Sequence, residues 1–169
     1  MLEKVTAGAG TVNDGAEGNR KMTTTVKQIL DQKGGKFTAV GPEDTVFTAL
    51  SLMAEFDIGS VIITENDRLI GIFTERDYAR KVVLKGLVSK DVKVGELMTP
   101  NPCTVSPSST VDEVMRTMTE NRFRHLPVVD HGRIVGIVTI GDMVKSIVSQ
   151  QEATIRQLSS YISGDLATN

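Results

Sequence analysis

Sulfur, indole and imidazole side chains are scarce in this sequence. Cys103 is the only cysteine, tryptophan is absent, and His125 and His131 are the only histidines among 169 residues. A single cysteine excludes an intramolecular disulfide and any site built from several thiolates. A zinc site would depend on two histidines plus carboxylates, and their spacing fits no zinc pattern. The sequence therefore predicts that no metal is required.

The sequence also lacks an excess of one charge and a long apolar run. Nineteen Lys and Arg oppose 21 Asp and Glu, which gives a formal net charge of −2. Nothing therefore draws the whole chain to nucleic acid or to an anionic membrane. The longest apolar runs are about five residues, against roughly 20 in a membrane-spanning helix. No signal-peptide pattern opens the chain, which predicts a cytoplasmic protein, and the length excludes a large multidomain enzyme.

The strongest positive feature is an internal repeat. Residues 41–77 align with residues 106–142 without a gap at a constant offset of 65. The identical pairs include Pro42/Pro107, Thr45/Thr110, Gly71/Gly136, Thr74/Thr139 and Asp77/Asp142. A preceding element also recurs, VKQIL at 26–30 and VGELM at 94–98, with extra residues 31–36 in the first copy. The chain is therefore a duplicated unit.

Each copy predicts the same order of elements. A helix is indicated by apolar residues at i, i+3, i+4 and i+7: Val46, Ala49, Leu50 and Met53, then Val111, Val114, Met115 and Met118. Two β-branched runs split by turn residues predict a hairpin, at 61–73 and 126–138. Short strands at 37–40 and 103–105 and final helices at 77–84 and 142–148 complete a β-α-β-β-α unit. The expected fold class is α+β: two units related by a pseudo-twofold axis, sheets packed together and helices outside.

The predicted organisation has four parts. Residues 1–21 are a flexible leader without apolar periodicity. The first repeat spans 22–90, the second spans 91–149, and a helical tail spans 150–169. The tail carries Ile155, Leu158 and Ile162 at helical spacing, which predicts an exposed apolar stripe that contacts a partner.

The junction after each hairpin carries a shared motif, GIFTERD at 71–77 and GIVTIGD at 136–142. A helix N-terminus offers N–H groups and a positive dipole end to phosphate. A threonine hydroxyl can donate to phosphate, and a carboxylate one turn later can accept from a ribose diol. The same Thr-x-x-Asp spacing also caps helices without any ligand. Gly71 and Gly136 favour the ligand, because a glycine in a buried strand often marks close approach of a ligand or another backbone.

Residues from about 26 to 148 resemble a tandem pair of CBS domains, named after cystathionine β-synthase. The resemblance rests on the Thr-Val at each helix start, the LPVV strand at 126–129, both G-h-x-T-x-x-D motifs and the LMTP linker at 97–100. It implies a pseudo-twofold pair of repeats that usually forms a homodimer. It also implies two clefts that bind AMP, ADP, ATP, NAD(H) or S-adenosylmethionine, and a non-catalytic role as an energy or redox sensor for an unknown effector protein.

The resemblance implies that each cleft combines both repeats. The first cleft would place Thr74, Arg76 and Asp77 against Thr104, Val105, Phe123, Arg124, His125, Leu126 and Pro127. The second would place Thr139, Gly141 and Asp142 against Thr38, Ala39, Val40, Ile58, Gly59, Ser60, Val61 and Ile62. In each cleft the Asp would bind the ribose, and the Thr would bind the phosphate together with basic groups. Val61-Ile62 stands where the family often has Leu-Pro, which is expected to alter the grip on adenine in the second cleft.

The two clefts are not expected to be equivalent. The first gathers Arg76, Arg124 and His125, whereas the matching positions of the second are small and uncharged: Gly141, Gly59 and Ser60. Since charge-assisted contacts are roughly twice as strong as neutral ones, the first is expected to prefer AMP, ADP or ATP. The second is expected to accept a dinucleotide such as NAD(H). Phosphate beside His125 would favour its protonated form, so affinity would rise as pH falls.

Other conspicuous side chains have structural interpretations. Cys103 is interpreted as a small buried residue of a strand, because no base pairs with it. His131 is expected in an exposed turn. A solvated helix face is expected to carry Arg80, Lys81 and Lys85. The homodimer is expected to bury apolar residues of the repeat helices: Val82, Val83, Ile147 and Val148.

Three classes of function remain open. The first is a regulatory module that binds adenine nucleotides, the second a hydrolase or transferase that acts on nucleotides, and the third a protein–protein adaptor with vestigial clefts. No acid–base pair, metal cluster or activated nucleophile can be assembled for the second class. Both copies keep Thr and Asp, which argues against the third. The sequence therefore favours the first class, with no nucleic-acid or membrane partner.

Overall fold

The computed structural model describes residues 23–165, with side chains through residue 163, so the leader predicted for residues 1–21 lies outside the described residues. In the first half the elements are α1 (Val26–Lys33), β1 (Ala39–Val40), α2 (Val46–Phe56), β2 (Ser60–Glu65), β3 (Arg68–Thr74) and α3 (Glu75–Lys81). A short 3-10 helix, Val83–Lys85, follows. In the second half they are α4 (Val94–Leu97), β4 (Thr99–Pro100), α5 (Val111–Asn121), β5 (His125–Asp130), β6 (Arg133–Thr139) and α6 (Ile140–Asp165).

Both predicted hairpins are confirmed. β2 pairs antiparallel with β3, and β5 pairs antiparallel with β6. Each turn has two residues with positive φ, Asn66 and Asp67 in the first and His131 and Gly132 in the second. Two-residue hairpin turns favour this backbone because its twist matches that of the strands. His131 is an exposed turn residue, as expected.

The repeats form two sheets that meet at β3 and β6. The first sheet has the order β1-β2-β3-β4, with β1 parallel to β2. The second sheet has only β5 and β6, and a single parallel bridge between Val105 and Val128 replaces β1. The α+β pair of repeats is therefore confirmed, although β4 was not expected from the sequence.

The leading helix of each copy packs on the other copy. The Val26 N–H at the start of α1 donates to the Ser109 carbonyl at 2.9 Å, and the Val94 N–H at the start of α4 donates to the Asp44 carbonyl at 2.8 Å. α1 buries its apolar face in the core formed by α5, β5, β6 and α6. α4 contributes Val94 to the core formed by α2, β2 and β3. Each core is therefore complete only with a helix from the other repeat.

This exchange explains the two strand glycines. A Cβ on Gly71 would lie 2.3 Å from Met98 Sδ, and a Cβ on Gly136 would lie 2.7 Å from Leu30 Cδ2. Met98 directly follows α4 and Leu30 lies in α1, so each contact comes from an exchanged segment. The interpretation of these glycines as a sign of a ligand was wrong. They make room for a packed side chain.

Several predicted boundaries differ from the structure. The helix expected at 77–84 ends at Lys81, because the next residue, Val82, turns into the core, where it is 1% exposed. Val82 is therefore unavailable to the dimer interface expected for it. The strand at 37–40 is reduced to Ala39–Val40. The last helix runs on from Ile140 to Asp165 and includes most of the predicted tail.

The strand expected at 103–105 is wrong for its first two residues. Asn101 has a φ of 45°, and Pro102, which has no N–H to donate to a sheet, follows it. Cys103 therefore lies in a loop and is exposed, contrary to the interpretation of it as buried. Within the described range of 23–165, no helix is long and apolar enough to cross a membrane.

Candidate functional site

The two Thr-x-x-Asp motifs cap the helices that follow the hairpins. The Asp77 N–H donates to Thr74 Oγ1 at 3.1 Å, and the Thr74 N–H donates to Asp77 Oδ2 at 3.0 Å. The Asp142 N–H donates to Thr139 Oγ1 at 3.2 Å, and the Thr139 N–H donates to Asp142 Oδ2 at 2.8 Å. The capping alternative is therefore realised in both copies. The caps also hold both aspartates in one fixed orientation.

Each capping aspartate is paired with a lysine. Lys81 Nζ lies 2.8 Å from Asp77 Oδ1, one turn further along α3, and Lys33 Nζ, from the exchanged helix α1, lies 2.8 Å from Asp142 Oδ2. Both ammonium groups also donate to a carbonyl, Lys81 to Leu97 at 2.8 Å and Lys33 to Ile137 at 2.9 Å. Lys81 is therefore part of the site and not only a solvated helix residue. The two pairs neutralise the aspartate charges.

A cavity of about 240 Å³ lies where the first motif meets the second repeat. It brings together most of the residues expected in the first cleft: Thr74, Arg76, Asp77, Phe123, Arg124, His125 and Leu126. Thr104, Val105 and Pro127 are not part of its lining. Pro127 is buried in β5, and its carbonyl accepts the Val105 N–H at 3.0 Å. These two residues therefore form a backbone hydrogen bond at the edge of the second sheet.

Several lining residues were not assigned to this cleft from the sequence. They are Gly59, Ile72, Glu75, Thr99, Pro102, Cys103 and Arg122. Gly59, expected in the second cleft, lies in this lining, directly before β2 and next to His125. A Cβ on it would be 3.2 Å from His125 Nε2. Arg122 and Arg124 flank Phe123 in the sequence, and such a basic pair is a pattern that indicates a phosphate contact. No sequence pattern indicates where the Cys103 loop lies.

The cavity is lined by more positive than negative side chains. Three guanidinium groups, from Arg76, Arg122 and Arg124, oppose the Glu75 and Asp77 carboxylates. Arg76 Nη1 donates to the Arg122 carbonyl at 2.9 Å and so ties the two repeats together across the cavity. Guanidinium groups remain charged at any working pH and suit phosphate geometry. The cavity can therefore accept an anion.

His125 does not add to this charge at neutral pH. Burial lowers the pKa of His125 below its ordinary value, and the nearby Arg124 and Arg76 act in the same direction. The Glu75 and Asp142 carboxylates raise the pKa of His125, but burial is the largest influence. The imidazole is therefore a neutral group of the cavity lining, and the arginines carry the positive charge of the cavity.

The residues expected in the second cleft lie along β1, β2 and the start of α6. Four are buried in the sheet: Val40, Ser60, Val61 and Ile62. Thr38 and Ile58 are half-buried, whereas Ala39 and Gly141 are exposed. The Thr38 carbonyl accepts the Ile62 N–H at 2.9 Å. At the motif itself, the Lys33 ammonium lies on Asp142, so a positive charge is present although the matching residues are uncharged.

Comparisons with a family model, a curated protein and a solved structure all match this chain to CBS-domain proteins. The CBS domain family matches at residues 23–84 and 94–149. The chain is 36% identical over 151 residues to the CBS domain-containing protein CBSX3, mitochondrial, of Arabidopsis thaliana, covering 84% of this chain and 73% of that protein. A solved CBS-domain protein of Burkholderia ambifaria MC40-6 is 47% identical with a TM-score of 0.73, covering 76% of this chain and 96% of that one.

A third similar structure contains metal. Hypoxic Response Protein I, solved with two coordinated zinc ions, is 33% identical with a TM-score of 0.62, covering 72% of this chain and 98% of that one. A protein of the same name comes from Mycobacterium tuberculosis. In the part of the present chain that the structure describes, no three His, Cys, Asp or Glu side chains are grouped so as to hold a metal ion.

Proposed function

This chain belongs to the CBS domain family, and on that premise we propose that it is a non-catalytic regulatory module that binds adenine nucleotides between its two repeats. The observation that carries the proposal is the cavity between the first Thr-x-x-Asp motif and the basic residues before β5, Arg122 and Arg124, in the second repeat. It unites Asp77 with Arg124 and Leu126, which lie far apart in the sequence. A small-molecule site of this kind combines apolar walls with a few placed polar groups.

The character of the walls supports a ligand with one apolar and one anionic part. Ile72, Phe123 and Leu126 offer an apolar surface to a planar ring. The guanidinium groups supply charge-assisted hydrogen bonds to phosphate. AMP, ADP and ATP have both parts, and we propose them as ligands of this first cleft.

Asp77 is the proposed ribose acceptor. Its Oδ1 takes the Lys81 ammonium at 2.8 Å and the Thr99 hydroxyl only at 3.4 Å. The Thr99 contact is long for an O–H···O bond, so a ribose hydroxyl can replace it with little loss. The cap contacts through Oδ2 and Thr74 would stay intact. Capping and ligand binding are thus compatible in one carboxylate.

We propose the Thr139/Asp142 site as the second nucleotide cleft, with NAD(H) among its candidate ligands. An enzyme that acts on nucleotides is the alternative, but at the first cleft Asp77 serves a cap and an ion pair, Arg76 joins the two repeats, and no hydrogen bond among the described residues pairs the exposed Cys103 thiol with a base. That leaves no pairing of nucleophile and base there.

The cytoplasm is the proposed compartment. Because one relative is mitochondrial, the mitochondrion is the alternative that a localisation experiment would test.

We also propose that the protein is a homodimer in which α6 of one copy pairs with α6 of the other. Val148, Ile155 and Ile162 are spaced by seven residues, and Leu158 lies three residues after Ile155. All four are about half exposed or more, with Ile162 at 66%. β-branched residues at one seam position with Leu at the other favour a two-stranded coiled coil. Residues 151–163 of α6 are exposed throughout, whereas most helical stability in proteins comes from packing of an apolar face.

A thermal-shift panel with AMP, ADP, ATP, NADH, GMP and CMP tests the nucleotide proposal. Ligand at about 100 times its Kd adds roughly 2.7 kcal/mol of apparent stability. Asp77→Asn should reduce the shift, whereas the matched control Asp67→Asn, in the exposed β2–β3 turn, should not. No shift with any adenine compound, or an equal shift with GMP and CMP, would show that the proposal is wrong.

A further inference from the structure

The strongest further observation is the place of Lys33 at the second Thr-x-x-Asp motif. Lys33 is the last residue of α1, and its ammonium lies 2.8 Å from Asp142 Oδ2 and 2.9 Å from the Ile137 carbonyl. Its side chain is 30% exposed, so the group is neither sealed in the core nor free in solvent. The contact spans 109 positions in the sequence and links the two repeats.

The exchange of leading helices creates this contact. α1 crosses to the second repeat and ends at Lys33, after which Gly34 and Gly35 with φ of 86° and 58° turn the chain back toward β1. These residues belong to the segment 31–36 that has no counterpart in the second copy. The corresponding helix α4 ends at Leu97, and the first motif takes its lysine from α3 instead.

The lysines of the two motifs are therefore not related by the repeat symmetry. Lys81 corresponds to Ser146 in the second copy, at the offset of 65. Asp77 receives protein donors on both carboxylate oxygens. Asp142 receives the Thr139 N–H and the Lys33 ammonium on Oδ2 alone. Its Oδ1 has no donor within the residues that the structure describes.

An ammonium group has three N–H donors and no acceptor. Two donors of Lys33 are used, by Asp142 and by the Ile137 carbonyl, and the third has no acceptor among residues 23–163. A phosphate oxygen can take this third donor without breaking the pair with Asp142. The free Oδ1 of Asp142 can at the same time accept from a ribose hydroxyl.

We propose that Lys33 is the phosphate-binding cation of the second cleft, so that this cleft selects phosphorylated adenosine compounds over adenosine itself. The inference rests on the proposed function and deepens it. It revises the expectation that the second cleft is uncharged, which considered only Gly141, Gly59 and Ser60. The exchanged helix supplies the charge that these positions lack.

Titration calorimetry with adenosine and with AMP tests the role of Lys33. The measurements are made in an Asp77→Asn background, which weakens the first cleft, and repeated in an Arg124→Ala background. Lys33→Met should raise the Kd of AMP about tenfold, the size of a lost hydrogen bond to a charged group. It should leave the Kd of adenosine within about twofold. Lys27→Met, on the same helix in an exposed pair with Asp31, is the matched control and should change neither.

The outcomes separate this inference from the proposed function. Lys33→Arg keeps the charge and should retain most of the AMP affinity. An equal loss for adenosine and AMP in Lys33→Met would assign Lys33 a structural role and overturn the inference, as would no loss for AMP. In both cases the unaltered protein would still bind AMP. If the unaltered protein binds no adenine compound, the proposed function fails, and the inference fails with it.

Discussion

Met98 occupies the space that a side chain on Gly71 would need. A Cβ on Gly71 would be 2.3 Å from Met98 Sδ and 3.2 Å from Met98 Cβ, well inside normal contact distance. Met98 directly follows α4, and Gly71 lies in β3 of the other repeat. The glycine therefore lets the exchanged segment approach the sheet, and it serves the interlocking of the repeats.

Gly71→Ala should destabilise the protein by about 1–3 kcal/mol, the usual cost of an added methyl group in a filled core. Urea denaturation measures this change. Met98→Ala introduced with it should recover part of the loss, because it removes the obstructing atoms. Gly141→Ala is the control, since a Cβ there meets nothing closer than 3.6 Å. Equal stability of the two alanine variants would contradict the role of Gly71.

The exposed thiol of Cys103 provides a probe of the first cleft without any mutation. It is the only cysteine of the sequence, and it lines the cavity beside Phe123 and Arg124. A nucleotide in this cavity should slow the reaction of the thiol with a disulfide reagent at least several-fold, because it blocks access. Following the released thiolate with AMP, and with CMP as control, measures the effect. An unchanged rate with saturating AMP would place the ligand elsewhere.

Arg124→Ala should weaken AMP binding at the first cleft about tenfold or more, because a hydrogen bond from a charged group contributes roughly 1.5–3 kcal/mol. The second cleft should keep its affinity. Arg133→Ala, at an exposed position at the start of β6, serves as the control. Calorimetry should show one weakened and one unchanged binding phase. If Arg124→Ala weakens both phases alike, the clefts are equivalent or strongly coupled.

His125 should make the folded state less stable in mild acid. Its pKa is lowered by burial in the folded protein, whereas in the unfolded chain it is near the ordinary value of about 6.5. As pH falls below about 6.5, the unfolded chain binds the proton first, so the free energy of unfolding decreases. His125→Gln should flatten this decrease. His131→Gln, at an exposed turn, should leave it unchanged, and an identical pH slope in both variants would refute the assignment.

Ile155→Asp should shift the protein toward monomer if α6 forms the dimer. A charge in an apolar seam loses its hydration without gaining a partner. Sedimentation at micromolar concentration measures the change from about 37 kDa to 18.3 kDa, the mass of one chain. Gln157→Asp, on the opposite face of the helix, should remain dimeric. A monomer for the unaltered protein, with and without nucleotide, would disprove the dimer.

The local parts of the fold were predictable from the sequence. The turn residues at 66–67 and 131–132 carry the positive φ that two-residue hairpins need. Thr45 and Thr110 cap α2 and α5, and Thr is a residue type preferred at that position. Most of the residues grouped around the first cavity were predictable, because a motif and a family resemblance specify residue types and their order. These features depend on neighbours within a few positions.

The sequence by itself determined the duplication, the elements of each copy and the chemistry of the Thr-x-x-Asp motifs, because each of these is a short-range pattern. Only the tertiary structure decided which copy each leading helix completes, since both cores offer a similar apolar surface. The exchange in turn places Met98 on Gly71 and Lys33 on Asp142. The loop after β4 brings Cys103 to the cavity. Such contacts join residues remote in sequence, and they follow from which packing buries the most apolar surface.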